Sequence, residues 1–312
     1  MKYAYVFPGQ GSQVIGMLEE LGATYPIIKQ TFAQASEILN YDLWKLTQQG
    51  PEELLNQTEK TQPALLAAGI AIWYLWQQNT EQQPAYVAGH SFGEYTALVA
   101  AKAIKFEDAV SLAQDRGRFM QMAVSNGRGA MAAILALETE TVIEICKKVA
   151  QEQVVSAVNF NAPGQTVIAG HTTAVKRAIE QAKAAGARRA VLLPVSVPAH
   201  SALMQPAAIK MAERLAKVTI SAPTIPVIHN VDVAAKSEPA DIRNALTTQL
   251  YQPVRWVEII QKMVAEEVVL LLESGPGKVL TGLNKRISRS TPAKPILDLK
   301  TLKLALQAVE IS

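Results

Sequence analysis

The chain opens on an apolar run, Lys2 to Phe7, that reads as a short buried strand closed by Pro8-Gly9 and a glycine-punctuated turn through Gln13. From Pro26 to Leu55 apolar residues recur at helical spacing (Ile28, Phe32, Ala35, Ile38, Leu39), and Gln62 to Trp76 is apolar on nearly every side, with Pro63 placed in its first turn. Both stretches predict core helices. Ala85 to Gly89 reads as a strand that runs without a spacer into His90-Ser91-Phe92-Gly93-Glu94 and then a helix from Tyr95, so a sharp strand-turn-helix junction is expected there. A helix from Phe106 to about Ala123 follows, carrying Arg116 and Arg118 in its C-terminal half.

Residues 127–194 have a rhythm of their own. Strand, helix, two strands, helix and strand are predicted over Met131–Leu137, Thr139–Ala150, Val154–Asn159, Gln165–Ala169, Thr172–Ala185 and Arg189–Leu193. That βαββαβ order is the ferredoxin-like unit, with Asn161-Ala162-Pro163-Gly164 as its hairpin turn. Beyond it the pattern reverts to alternating helix and strand, with Gly275-Pro276-Gly277 opening another helix. The expected organisation is therefore an α/β chain in which residues 1–126 and 195–312 form a large domain and 127–194 a small one inserted into it.

Composition narrows the class. With 49% hydrophobic and 18% charged residues the chain is an ordinary globular one, and 30 Lys+Arg against 27 Asp+Glu is too even to point to nucleic acid or an anionic membrane as partner. The one cysteine, Cys146, allows no internal disulfide and fits a reducing compartment, so a cytoplasmic protein is expected. No apolar run approaches the roughly 18 residues that a membrane-spanning helix needs. A monomer is the expected state.

The strongest chemical signal is Gly89-His90-Ser91-Phe92-Gly93, a G-x-S-x-G between strand and helix. Such an elbow needs small residues on both sides because the serine sits in a strained turn; it lifts the hydroxyl above the sheet and aims helix N-terminal N–H groups at a developing oxyanion. A serine nucleophile requires a base, and four histidines are available. His90 lies inside the elbow and reads as packing, His171 as a turn residue and His229 as a satisfied core residue. His200 follows the extended Val197-Pro198-Ala199 where the chain re-enters the large domain, and it is the expected base. No Asp or Glu between Ser91 and His200 ends a large-domain strand, so a carboxylate-oriented triad is disfavoured and another acceptor, such as a backbone carbonyl, is expected to hold the imidazole. Gly127-Arg128-Gly129-Ala130-Met131-Ala132 scans as a dinucleotide loop but precedes a strand instead of leaving one, so no redox cofactor is expected, and no metal. On these residues alone, a serine hydrolase and a catalytically silent docking protein remain open beside an acyltransferase.

Six blocks in order carry a resemblance: Phe7 to Gln13, Gly89 to Glu94, Arg116 to Gln121, Gly129 to Ala133, Val197 to Met204 and Gly275 to Leu280. Together they resemble the malonyl-CoA:acyl carrier protein transacylases. The resemblance implies an α/β-hydrolase-like large domain with a ferredoxin-like insert and the site in the cleft between them. It implies that Ser91 is acylated and that His200 takes its proton. It further implies that the N–H groups of Gln10 and Phe92 form the oxyanion hole, that Gln249 positions the histidine and lines the site, and that Arg116 binds the free malonyl carboxylate. Malonyl-CoA enters as substrate, so no cofactor is implied, and acyl carrier protein is the implied partner. A basic strip for that acidic partner is expected at Lys285, Arg286 and Arg289, with Arg188 and Arg189 across the cleft. At Ala199 the chain departs from the family, where Phe or Ser is common; the smaller residue implies a looser pocket around the acyl α-carbon, with malonyl still the expected group.

Overall fold

The computed structural model describes residues 1–125, 127–195 and 197–310. The first segment runs β1 (Tyr3–Phe7), α1 (Glu19–Thr24), α2 (Pro26–Leu39), α3 (Leu43–Gln49), α4 (Glu52–Leu55), α5 (Thr58–Asn79), β2 (Tyr86–Gly89), α6 (Gly93–Ala100) and α7 (Phe106–Ala123). The second runs β3 (Gly129–Leu135), α8 (Thr139–Ala150), β4 (Val155–Ala162), β5 (Gln165–His171), α9 (Thr172–Ala184) and β6 (Arg189–Leu192). A 3-10 turn over Ala202–Met204 leads into α10 (Gln205–Leu215), β7 (Val227–Ile228), α11 (Pro239–Gln249) and α12 (Trp256–Ala265). The chain then closes with β8 (Leu270–Ser274), α13 (Val279–Ile287), β9 (Ala293–Ile296) and α14 (Leu299–Glu310).

Two sheets organise these elements. The larger has the order β7-β2-β1-β8-β9 and is parallel throughout. Strand β1 lies at its centre with all five residues buried, which is why it reads as a continuous apolar run and not an alternating one. One face packs on α2, α5 and α7 through Phe32, Trp73, Trp76 and Val110; the other packs on α12 and α13 through Trp256, Ile260 and Leu283. The smaller sheet, β4-β5-β3-β6, is antiparallel throughout, the strand order that the ferredoxin-like reading requires. It has its own core under α8 and α9, built on Ile134, Val142, Ile168 and Val175.

Several expectations need adjustment. The periodic stretch 26–55 is three helices: Asn40 closes α2 in the left-handed conformation, and Gly50-Pro51 separates α3 from α4. Helix α5 starts four residues earlier than its apolar pattern indicates, so Pro63 lies in its second turn. Asn161 and Ala162 belong to β4, and only Pro163-Gly164 turns the hairpin. The expected domain boundary after residue 126 falls on Asn126, and the expected end of the large domain on Ile311 and Ser312; these lie outside the described residues.

Candidate active site

Strands β1 and β2 end side by side, and the loops that leave their carboxyl ends, Pro8-Gly9-Gln10 and His90-Ser91-Phe92, form the floor of a cleft. This is where parallel α/β sheets expose their sites. The elbow is compressed: a Cβ on Gly89 would lie 1.8 Å from the Gly93 carbonyl carbon, and one on Gly93 would lie 2.1 Å from the Phe7 oxygen. Only glycine fits at either position, and Ser91 itself takes a left-handed φ of 52°. Asn230, just past β7, clamps the turn from behind. Its Nδ2 donates to the Gly89 carbonyl at 2.7 Å and its Oδ1 accepts the Ser91 N–H at 2.7 Å.

With its hydroxyl raised in this way, Ser91 meets His200, whose Nε2 is 2.7 Å from Ser91 Oγ. The imidazole Nδ1 lies 2.6 Å from the backbone oxygen of Gln249. A carbonyl can only accept, so Nδ1 carries the proton and Nε2 is left as the acceptor that faces the serine hydroxyl. Burial, reinforced by the positive charge of Arg116, pushes the His200 pKa down to about 3, so the imidazole is neutral at neutral pH.

Arg116, on α7, is 1% exposed. Its Nη2 donates to Gln249 Oε1 at 3.0 Å, and the guanidinium lies 5.8 Å and 5.6 Å from the Phe92 and Tyr95 ring centroids, within cation–π range. Arg118, by contrast, is half exposed and pairs with Asp115 at 2.7 Å. The N–H groups of Gln10 and Phe92 have no hydrogen-bond partner among the described residues, whereas that of Ser91 is taken by Asn230.

The cleft holds about 210 Å³ and lies between the two sheets. Gln10, Ser91, Phe92, Arg116 and His200 line it from the large sheet; Met131, Asn159 and Val167 line it from the small one. Ala199 also lines it, beside the apolar face of Met131, Val158 and Val167. The structure therefore brings together Ser91, His200, Arg116, Gln10, Phe92 and Gln249. One placement differs: Gln249 is fully buried and stands behind the cleft, where it supports both Arg116 and His200 without lining the space.

His90 is more than packing. Its Nε2 is 2.7 Å from Asn161 Oδ1 in β4, and its ring meets Trp256 edge-on, so it ties the elbow to the small sheet. His171 closes β5, where its Nδ1 accepts the Val154 N–H. His229 is only half satisfied: Nδ1 donates to Glu94 at 2.7 Å, and Nε2 is buried without a partner. Arg286 is not a free surface charge, since it hydrogen-bonds Gln165 Oε1 and the Pro163 carbonyl across the interdomain gap.

Two functional-site residues escape sequence reasoning, Asn230 and Glu94. Glu94 is fully buried in the first turn of α6 and accepts from His229, from the Asn230 N–H and from Gln249 Nε2. The signal was available, because Glu94 is the only charged residue in an otherwise uncharged helix whose every residue is buried.

A family profile for the acyl transferase domain matches residues 4–298. The malonyl CoA-acyl carrier protein transacylase of Salmonella typhimurium is 56% identical over 305 residues, covering 98% of this chain and 99% of that protein. A solved acyl carrier protein S-malonyltransferase from Vibrio cholerae superposes with a TM-score of 0.96 at 55% identity, covering 98% of this chain and all of the other. A malonyl-transacylase solved in complex with a holo type II polyketide acyl carrier protein superposes with a TM-score of 0.98 at 52% identity, covering 99% and 100%. With a serine elbow, a carbonyl-anchored histidine and a buried arginine in one cleft, and likeness over nearly the whole length, the chain belongs to the malonyl-CoA:acyl carrier protein transacylase family.

Proposed function

We propose that this protein moves malonyl from malonyl-CoA to the phosphopantetheine thiol of an acyl carrier protein through a malonyl ester on Ser91. The observation that carries the reading is the 2.7 Å contact between Ser91 Oγ and an unprotonated His200 Nε2, in a cleft that also holds a buried guanidinium. Ser91 Oγ attacks the thioester carbonyl as His200 Nε2 takes the hydroxyl proton. The tetrahedral oxyanion is received by the Gln10 and Phe92 N–H groups, which have no hydrogen-bond partner among the described residues. The C–S bond then breaks, and the proton on Nε2 leaves with the coenzyme A thiol. The second half-reaction runs the sequence backwards, with the carrier thiol giving its proton to His200 and its sulfur attacking the Ser91 ester. Only proton and acyl transfers are needed, so this route calls on no metal or redox cofactor.

Arg116 selects the acyl group. A guanidinium matches a carboxylate with two parallel charge-assisted hydrogen bonds, and here it is desolvated and stacked on aromatic rings. The malonyl carboxylate has a further effect: by neutralising Arg116 it removes part of what depresses His200, so the correct substrate strengthens the base that activates its nucleophile. We also read the enzyme as a cytoplasmic monomer that supplies fatty acid synthesis, with residues 127–194 as the domain that walls the cleft; the single buried thiol of Cys146 supports the compartment.

The test is Arg116→Ala with malonyl-CoA and acetyl-CoA. Leaving a substrate carboxylate desolvated and unpaired costs about 3–5 kcal/mol, so the ratio of the two specificity constants should fall by a factor of roughly 10² to 5 × 10³. The acetyl reaction, which brings no charge, should hold or rise. A parallel fall for both donors would show that Arg116 supports the structure and that the carboxylate is read elsewhere.

A further inference from the structure

Glu94 is a fully buried carboxylate that the acyl-transfer steps do not use, and His229, its neighbour, is a fully buried imidazole. All of the Glu94 contacts come from N–H donors: His229 Nδ1 at 2.7 Å, the Asn230 N–H at 2.9 Å and Gln249 Nε2 at 2.9 Å. Asn230 and Gln249 both donate to the same oxygen, Oε2, which is enclosed by the donors that it serves. The Gln249 contact has a directional consequence. Its Nε2 has two hydrogens, and they go to Glu94 Oε2 and to the Ser91 carbonyl at 2.9 Å. The amide cannot turn over, because its oxygen would then face a carboxylate and a carbonyl. Its Oε1 is thereby directed to the Arg116 guanidinium at 3.0 Å, and its backbone oxygen remains on His200 Nδ1 at 2.6 Å. On the other side, the Asn230 backbone held by Glu94 carries the side chain that clamps Gly89 and Ser91.

We propose that Glu94 is a positioning residue that, acting through the Gln249 amide, holds the Arg116 guanidinium in its malonyl-reading orientation. The proposal rests on the acyltransferase reading above and deepens it. Glu94 is linked to His200 through a single intervening residue, Gln249. It does not touch His200; it orients the residue whose carbonyl does, and the same residue's side chain points the arginine. Nucleophile, base and selectivity filter thus share one buried carboxyl group.

In Glu94→Gln, the new carboxamide has only one acceptor oxygen to offer the donors that now converge on the carboxylate, and its NH₂ faces one of them. Gln249 is then free to rotate and present its own NH₂ to the guanidinium. The expected result is a loss of discrimination: the ratio of malonyl to acetyl specificity constants falls by about tenfold or more, with the malonyl reaction accounting for most of the change. Glu94→Asp, which keeps the charge, should recover part of the ratio. Because Glu94 acts through Gln249, its substitution in a Gln249→Ala background should change the ratio by less than about threefold, the non-additivity expected of residues acting in series.

A residue that merely stabilises the fold would lower both donors together and add independently to Gln249→Ala, and either result overturns the proposal. If Glu94→Gln does not accumulate as folded protein, Glu94→Asp carries the same measurement under the same criteria. The parent protein separates the two levels of inference. Failure of the parent to form a malonyl adduct on Ser91 would remove the acyltransferase reading and this one with it; acylation by the parent with an unmoved ratio in the variant removes only the role of Glu94.

Discussion

The two walls of the cleft are built on opposite principles. On the large-sheet side, Ser91, His200, Gln249, Asn230 and Glu94 form a closed hydrogen-bond network in which each group has a defined donor or acceptor. On the small-sheet side, Met131 and Val167 present an apolar face to the cleft, backed by Val158 and Ala169, with Asn159, Asn161 and Gln165 as its few polar groups. The walls meet at a few points: His90 to Asn161, the Phe160 N–H to the Val254 carbonyl with the Val254 N–H to the Val158 carbonyl, and Arg286 on the hairpin. On the proposed mechanism, reaction and charge recognition belong to the networked wall, and shape to the apolar one. A networked site tolerates no loss of a member, while an apolar wall gives way by degrees.

That contrast can be broken most severely at His200. His200→Ala should slow acylation of Ser91 by about 10² to 10⁴-fold, the usual worth of a positioned general base, with part of the rate recovered at higher pH. The same residue leaves a mark on stability. Because the folded imidazole stays neutral down to about 3 while the unfolded one titrates near 6.5, the unfolded chain takes up the extra proton as pH falls between those values. Stability should therefore decline from pH 6.5 towards 3, and denaturant titrations of His200→Ala should show a shallower decline. An equally steep decline in the variant would mean that other groups, with His90 the next to test, carry the acid sensitivity.

A smaller effect is expected from the apolar wall. Met131→Ala removes contact area from the cleft without touching the network, so the specificity constant for malonyl-CoA should fall by about tenfold or less and the malonyl-to-acetyl ratio should stay within about threefold. A large change in that ratio would show that the small domain reads the carboxylate and would erase the division of labour between the walls.

The smallest effect belongs to the rim. Lys285→Glu with Arg289→Glu, or Arg188→Glu, should raise the KM for carrier protein by a few-fold in a salt-sensitive manner and leave acylation by malonyl-CoA intact. Arg286→Glu should behave differently, because Arg286 grips the hairpin of the small domain and its loss should affect both half-reactions. Equal behaviour of all three variants would refute the distinction between docking charges and an interdomain contact.

How far this was legible in the sequence follows the same contrast. The central strands, the elbow and the βαββαβ insert are local patterns, and their apolar runs, paired glycines and alternating elements stand in the chain in order. Ser91, His200 and Arg116 could be named for the same reason, as chemically distinctive residues in distinctive blocks. Glu94 and Asn230 are separated by 136 positions and become partners only when α6 and the segment after β7 meet, so spacing along the chain does not show the pair. The carbonyl of Gln249 was foreseeable only as a missing acceptor, since any residue can supply a backbone oxygen. Strand β9 leaves little trace in the sequence: it is four residues long, contains Pro295 and lies at the sheet edge, where a proline is tolerated and the periodic signal is weakest.

The central claim is that Ser91, raised on its elbow and activated by His200, carries the malonyl group. Intact-mass spectrometry after brief incubation with malonyl-CoA tests it directly. The parent protein should gain one malonyl group, placed on Ser91 by peptide mapping and discharged on addition of holo acyl carrier protein, while Ser91→Ala should gain none and keep its fold. An adduct that persists in Ser91→Ala, or one that maps to another residue in the parent, would contradict the account.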